Sequence, residues 1–333
     1  MRSDTLQPAH EHCAEQNSWI RTGDDPFPRR TGEPSLATAI LHTVVYADLF
    51  DYPLTVPEIW RYLVGRPASV AAVERCLQNH PPLHAHMDTV APFWFLSGRA
   101  QVVGVRRQRE AYSQLLWPAA RSYARLIAAM PFVRLVAVSG ALAMNNASGP
   151  HDDIDLLIVA RGGRVWLARA LTIAVVHLAR RRGVELCPNY VLADTQLQLH
   201  ERSLFAAHEM AQLVPLCGQE MYQRLWEHNP WIAAYLPNSS PQRALERDVG
   251  PWRWGGQRGL EMLLGGRLGS VLERWESTRK IARLRAQARS RGAQGTDFQP
   301  DRCKGQMVDH AAWTHEQYAQ RLRSLGLRPE PGG

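Results

Sequence analysis

The stretch that decides the fold is VRLVAVSGALAMNNASGPHDDIDLLIVA, residues 133–160 of a 333-residue chain. It opens with a short, mostly apolar and β-branched run that ends at Ser139-Gly140, as expected for a buried strand meeting a tight turn. A helical turn and a loop then lead to DIDLLIVA, which begins at Asp153 and predicts a second buried strand. The pattern therefore predicts two strands joined through a glycine turn.

Two carboxylates lie at the start of the second strand. Asp153 and Asp155 are two residues apart, so both side chains project from one face of the sheet. Two adjacent anions cost free energy unless a cation compensates them. Mg²⁺ does this with one or two carboxylates and completes its coordination with water and substrate phosphates. The pair therefore predicts a Mg²⁺ site for in-line displacement at a nucleotide α-phosphate, with metal holding the attacking and leaving oxygens.

The strand, glycine turn, spacer and Asp-x-Asp strand together resemble the signature of DNA polymerase β-like nucleotidyltransferases, over about residues 133–200. The resemblance implies an α/β (α+β) fold with a mixed sheet, a nucleoside triphosphate as substrate and Mg²⁺ as cofactor. It also implies that Asp153 and Asp155 are catalytic metal ligands. Ser139, Gly140 and Ala141 would hold the β- and γ-phosphates, although the family usually has Ser or Gly where this chain has Ala141.

The resemblance further implies a third carboxylate on a later strand, which activates the acceptor hydroxyl. After a predicted amphipathic helix (163–183), the next strand reads VELCPNYVLAD, with Glu185, Asn189 and Asp194 as its polar candidates. Alternation places Glu185 and Asn189 on one face and Asp194 on the other. Glu185 is predicted to be catalytic and Asn189 to contact the nucleotide. Since an amide cannot act as a base, a site that binds nucleotide without turnover stays an alternative.

Other polar residues near the motif are further candidates. Arg161, Arg164 and Arg169 follow the second strand, and Arg164 and Arg169 are considered as phosphate contacts. His151 is predicted to be a solvent-exposed loop residue, with phosphate contact as the alternative.

The rest of the chain predicts flanking helical segments. Three short helices and a hairpin, with a capping box from Thr55 to Glu58, are typical of a winged helix. A connecting helical segment follows, broken near Pro118. The predicted organisation is a disordered tail (1–33), a winged-helix-like domain (34–105), connecting helices (106–132), a nucleotidyltransferase core (133–200), helices packing on the core (201–240) and a basic helical C-terminal region (241–333).

Two of these segments offer alternative binding surfaces. DNA binding through the helix at 69–79 is weakly supported, because Arg75 is its only cation. Residues 253–291 hold ten Lys or Arg against three Glu, and part of this stretch is amphipathic. Such a helix can lie on RNA or on an anionic membrane, or dock on the rest of the protein. Docking is the favoured interpretation.

Composition narrows the class of protein. With 45% hydrophobic residues the chain can build real cores, and its net charge of +8 is compatible with a phosphate-bearing partner. Five scattered cysteines argue for a reducing compartment and against a disulfide framework or a zinc site. There is no run of 18 apolar residues and no apolar N-terminal segment, so we expect a cytoplasmic protein without a transmembrane segment.

Three functions therefore remain open. The first is a Mg²⁺-dependent nucleotidyltransferase whose acceptor is a protein, an RNA or a small molecule. The second is a catalytically weak nucleotide-binding regulator. The third is a DNA-binding winged-helix protein.

Overall fold

The computed structural model describes residues 34–242, 255–292, 295–305 and 310–327. The predicted disordered tail (1–33) lies outside the described residues. Over the described part the chain forms a mixed α/β structure, in agreement with the predicted α+β class. None of the described helices is long and apolar enough to cross a membrane.

The N-terminal elements are helices around a small antiparallel sheet with strand order β1-β3-β2. In chain order they are α1 (Leu36–Asp48), β1 (Leu54–Thr55), α2 (Val56–Arg61), α3 (Val70–Asn79), α4 (Pro81–His84), β2 (Met87–Val90) and β3 (Phe93–Leu96). The capping box occurs as predicted, because the Glu58 carboxylate accepts from the Thr55 amide at 2.8 Å. The three predicted helices and the hairpin thus occur in the predicted order, with the additional short helix α4 before the hairpin, and their assignment to a winged helix stays a prediction.

A single long helix, α5 (Gln101–Ala128), connects these elements to the central sheet. The predicted break near Pro118 was wrong, because the proline lies inside the helix. Proline removes the hydrogen bond to the carbonyl of Gln114. Gln114 and Pro118 both lie on the exposed side of the helix, where water can hydrate that carbonyl. The adjacent Leu116 and Trp117 are buried in the core and hold the helix in place.

A six-stranded sheet with order β7-β4-β5-β6-β9-β8 forms the centre of the molecule. Its strands are β4 (Val133–Val138), β5 (Ile154–Ala160), β6 (Leu186–Ala193), β7 (Val214–Cys217), β8 (Asp297–Gln299) and β9 (Arg302–Lys304). The two predicted strands, β4 and β5, pair antiparallel, and β5 pairs with β6 in parallel. The segments after residue 200 were predicted as helices, and β7, β8 and β9 correct that prediction. These strands have only three or four residues, too few for a recognisable alternation.

Helices cover both faces of the sheet. The helices that follow β4 in the chain are α6 (Gly140–Ala143), α7 (Val165–Arg180), α8 (Leu204–Gln212), α9 (Gln219–Glu227), α10 (Ile232–Tyr235), α11 (Gly255–Gly265), α12 (Arg267–Ser290) and α13 (His310–Ser324). The side chains of β4 alternate between two cores. Val136 and Val138 join the core with α5, α7 and α12, whereas Leu135 and Ala137 join the core with α8, α9 and α10.

The last helix returns to the first. Tyr318 and Leu322 of α13 are buried in the core formed by the N-terminal helices. Arg321 also forms an ion pair with Asp48 at the end of α1. The C-terminal segment is therefore an integral part of the N-terminal packing.

Candidate functional site

The glycine turn and the second aspartate are in direct contact. The Ser139 amide donates to the Asp155 carbonyl at 3.0 Å, which continues the pairing of β4 with β5. Gly140 follows with φ of +63°, a left-handed conformation that favours glycine. A Cβ at this position would overlap the Asp155 carboxylate and lie 3.1 Å from its Cγ. Glycine is therefore required both by the backbone conformation and by the close approach to Asp155.

Asp153, Asp155 and Cys187 form one cluster. An oxygen from each carboxylate and the Cys187 Sγ lie within 4.8 Å of one another, a group that can hold a metal ion. Cys187 is the partner of Asp155 in the parallel pairing of β5 and β6. Cys187 was not predicted as a site residue, because its spacing to the other cysteines does not suit a metal site. Alternation along β6 places residue 187 on the face shared by 185 and 189, and that signal would have found it.

Asn189, which was predicted to contact the nucleotide, lies beside Asp155. Its Nδ2 donates to Asp155 Oδ1, and the Cys187 thiol donates to Asn189 Oδ1 at 2.9 Å. The pairing register shifts here, because Asp155 pairs with Cys187 whereas Leu157 pairs with Tyr190. Two residues of β6 thus oppose one residue of β5, as in a β-bulge. The bulge brings the Asn189 amide to the Asp155 carboxylate.

Glu185, the predicted third carboxylate, is engaged elsewhere. Its side chain forms an ion pair with Arg180 at 3.0 Å, and both side chains are about half exposed. Its charge still contributes to the raised pKa of Asp153, as the smallest of the causes. The metal-ligand group does not include Glu185. The structure therefore does not bring Glu185 together with the aspartates.

The remaining sequence candidates have structural roles or are exposed. Asp194 Oδ1 accepts from the Gly162 amide at 2.8 Å, inside a turn. Arg164 is buried and donates to the carbonyls of Leu264 and Gly265 at the end of α11, at 3.0 and 2.7 Å. The interpretation of Arg164 as a phosphate contact was therefore wrong. His151 is exposed, as predicted.

Burial and neighbouring negative charges raise the pKa values of all three groups in the cluster. Burial, followed by the charge of Asp153, raises the pKa of Asp155 to about 8. Burial and the neighbouring Asp152 raise the pKa of Asp153. Burial and both aspartates raise the pKa of the Cys187 thiol to about 12. These shifts have the physical cause predicted from the sequence, since adjacent carboxylates out of water oppose each other's ionisation.

The donor set fits a divalent cation. Two carboxylate oxygens suit a hard ion such as Mg²⁺, which takes one or two carboxylates from the protein. A thiolate would favour a softer metal such as zinc. The hydrogen bond to Asn189 uses the Cys187 thiol as a donor, so the sulfur is engaged as a neutral thiol. The aspartates can therefore serve a hard cation while Cys187 remains a neutral neighbour.

The cluster opens into a cavity of about 860 Å³. Gly140, Asp153 and Asp155 lie on one side of it. The other walls are largely aromatic and come from α1, from the segments around β1 and α2, from α8 and from α13: Tyr46, Phe50, Tyr52, Tyr62, Phe205 and Trp313. Among the described residues that line this cavity there is no Lys or Arg. The described lining of this cavity is thus mainly aromatic and acidic.

A second cavity of about 330 Å³ adjoins the first, and its lining holds two cations that are paired with Asp297 and Glu201. The two share Ser139, Phe205 and Glu209. Arg302 and Lys304, from β9, line only the second cavity. β9 lies in the segment predicted as a basic helical C-terminal region (241–333), so the position of these cations beside the site was not predicted.

Two neighbouring residues of α8, His208 and Glu209, also line the large cavity. Burial raises the pKa of Glu209 to about 7, with Lys304 opposing the shift. His208 stacks on Tyr46 with ring centroids 3.8 Å apart, and burial lowers its pKa to about 3. Neither residue was predicted as part of the site. The available signal was a single carboxylate within the apolar run LFAAHEMAQL.

Comparisons of this chain with protein-family models, with curated proteins and with solved structures give no match.

Proposed function

We propose that this protein is a Mg²⁺-dependent nucleotidyltransferase of the polymerase β type, which moves a nucleoside monophosphate from a nucleoside triphosphate to an acceptor hydroxyl. One observation carries the proposal. The Gly140 backbone lies directly against the carboxylate of Asp155, which is clustered with Asp153 at the edge of a large cavity. A strand, a glycine turn and an Asp-x-Asp strand are the features on which the resemblance depends.

In this proposal Asp153 and Asp155 hold the cation. When bound, Mg²⁺ neutralises the charge that develops on the phosphates and aligns the attacking and leaving oxygens. The turn offers the Ser139 hydroxyl and the backbone amides of Gly140 and Ala141 to the phosphates, since the Ser139 amide already donates to the Asp155 carbonyl. Asn189 orients Asp155 through the hydrogen bond to its Oδ1.

The large cavity suits a nucleotide that is bound through a metal ion. The smaller cavity adds no net positive charge for the triphosphate tail, because its Arg302 and Lys304 are paired with Asp297 and Glu201. The aromatic cavity offers faces on which a nucleobase or an apolar acceptor can stack. Because no Lys or Arg occurs among the described residues of that lining, the phosphates would be neutralised there by the cation that the aspartates hold.

The proton of the acceptor hydroxyl needs a base, and Glu209 is the better candidate. Glu185 is paired with Arg180, whereas Glu209 lines the same cavity as the aspartates. Burial raises the pKa of Glu209 to about 7, near the value at which a general base works best at neutral pH. We therefore assign the base to Glu209.

A catalytically weak nucleotide-binding regulator is the second candidate. The observation that favours it is the Asn189 amide beside Asp155, where the resemblance implies a carboxylate. DNA binding has less support, because the exposed surface of α3 carries Glu74 and Arg75, whose charges cancel.

The first test is a thermal-shift panel of ATP, GTP, CTP and UTP, each with and without Mg²⁺. A nucleotide at 100 times its Kd adds about 2.7 kcal/mol to the stability of the folded state. We expect one nucleotide to stabilise the wild type only with Mg²⁺, and Asp155→Asn to lose the effect. Glu227→Gln, which removes an exposed carboxylate on α9, is the matched control. If no nucleotide stabilises the wild type, the proposal fails.

Pyrophosphate release distinguishes the two candidates. A transferase releases pyrophosphate when the acceptor is present in a cell extract, and a regulator binds nucleotide without release. We expect Glu209→Gln to retain nucleotide binding and to slow release by about 10²-fold or more. Glu185→Gln should remain close to the wild type, and the reverse ranking would return the base to Glu185.

A further inference from the structure

The hairpin of α11 and α12 exposes large apolar side chains to solvent. They are Leu260, Met262 and Leu263 on α11 and Leu268, Val271 and Trp275 on α12. Met262 is 80% exposed and Trp275 is 59% exposed. Scattered exposed apolar residues are common, but such a concentration on two neighbouring helices marks an interaction site. We call these six residues the α11–α12 surface.

The exposed residues of α12 lie on one face of the helix. Leu268, Val271 and Trp275 have the i, i+3, i+7 spacing of an apolar stripe. The opposite side packs on the protein, where Glu273, Glu276 and Ala288 are buried. Docking of the helix on the core, as favoured from the sequence, thus uses one side and leaves the apolar stripe uncovered by the described residues.

The acidic residues of this segment all face inward. Glu261 accepts from the Phe132 amide at 2.7 Å and pairs with Arg134. The carboxylate of Glu273 accepts from two amides at the start of α7, at 2.9 and 2.8 Å. Glu276 is buried and pairs with Arg279 at 3.0 Å. The negative charges of these three glutamates are therefore balanced by hydrogen bonds and ion pairs within the protein.

The basic residues, in contrast, face solvent. Residues 255–292 contain nine Lys or Arg against these three Glu. The exposed ones include Arg258, Arg267, Arg274, Arg279, Arg283 and Arg289. The Arg279 guanidinium lies over the Trp275 ring, 4.6 Å from its centroid, so cation and aromatic ring share one surface.

We propose that the α11–α12 surface docks on the surface of an anionic lipid bilayer. Leucine, methionine and tryptophan side chains enter the boundary between headgroups and acyl chains, while the surrounding arginines contact anionic headgroups. The charge argues against a second copy of the chain, since two such surfaces would repel each other. The exposed leucine and methionine side chains favour lipid over nucleic acid, because binding to a phosphate backbone needs arginine but no exposed apolar side chains.

The test is co-sedimentation of the full chain with vesicles. Phosphatidylcholine vesicles with about a third phosphatidylserine are compared with pure phosphatidylcholine. We expect binding to the anionic vesicles that weakens as salt is added. The double variant Val271→Ser, Trp275→Ser should lower the partition coefficient by about tenfold or more. Leu115→Ser is the matched control, since Leu115 is 66% exposed on α5.

The charge contribution has its own variant. Arg274→Glu should weaken binding to the anionic vesicles several-fold and leave the weak binding to neutral vesicles unchanged. Equal binding of all variants, or no binding of the wild type, overturns the proposal. A dimer in sedimentation velocity that Val271→Ser, Trp275→Ser dissociates, without vesicle binding, assigns the surface to a second copy and also overturns it. Nucleotide-dependent stabilisation of the same variants should match the wild type, so the outcome is independent of the nucleotidyltransferase proposal.

Discussion

Replacing Gly140 with alanine separates backbone strain from damage to the site. Gly140 has φ of +63°, and an alanine in this region costs about 1–2 kcal/mol. The added methyl group also overlaps the Asp155 carboxylate, which must turn away and lose its hydrogen bond from Asn189. That loss adds about 0.5–1.5 kcal/mol. We therefore expect Gly140→Ala to lower the free energy of unfolding by about 2–3 kcal/mol in total.

Gly163 provides a control of the same conformation. Its φ is +70°, and an added Cβ would meet no atom within 4 Å. Gly163→Ala should therefore lose only about 1–2 kcal/mol, measured by urea unfolding of both variants. Calorimetric titration with Mg²⁺ and the stabilising nucleotide then measures the site. We expect Gly140→Ala to weaken binding by about tenfold or more, a difference of about 1.4 kcal/mol, and Gly163→Ala to bind normally. Normal binding by Gly140→Ala would refute the argument that the close approach positions Asp155.

Three further changes test the packing around the site. Arg106 is buried, and its guanidinium pairs with Glu58 at 2.8 Å. Arg106→Lys should therefore lower the free energy of unfolding by about 1–3 kcal/mol, measured by urea unfolding. An unchanged urea midpoint would contradict this expectation. Glu273→Gln leaves a single acceptor oxygen for two amides at the start of α7. It should lower the free energy of unfolding by about 1–2 kcal/mol. A stabilised variant in the same assay would show that the cost of burying the charge outweighs its two hydrogen bonds. Burial holds the pKa of His208 at about 3, so the unfolded chain takes up a proton below pH 6.5 while the folded protein stays neutral. Relative to His208→Phe, the wild type should therefore lose stability as pH falls below 6.5, by about 1.4 kcal/mol per pH unit, and parallel curves from urea titrations between pH 7 and pH 4.5 would count against it.

The sequence predicted the part of the fold that depends on local pattern. The strands at Val133 and Ile154, the helix at Val165 and the strand at Leu186 all occur, since each combines a clear apolar pattern with a turn signal. The short strands after residue 200 were predicted as helix because they are formed by pairing with distant strands. β9, for example, exists through its pairing with Tyr190, Val191 and Leu192.

The site was predictable only where one strand determines it. Asp153 and Asp155 follow from alternation along a single element, and the structure clusters them. The bulge in β6 brings Asn189 to Asp155, and the ion pair with Arg180 holds Glu185 away from the aspartates. Neither feature has a recognisable sequence pattern. Glu209 approaches from a helix on the opposite face of the sheet from α7, so no spacing relates it to the aspartates.

The aromatic wall of the large cavity determines when the site becomes complete during synthesis. Tyr46 lies in the first helix and Trp313 in the last, and Tyr318 and Leu322 join those two helices in one core. The ribosome releases the aspartate-bearing strand well before it makes α13. The cleft that holds the two carboxylates is therefore enclosed on this side only after α13 has been made and has packed against α1.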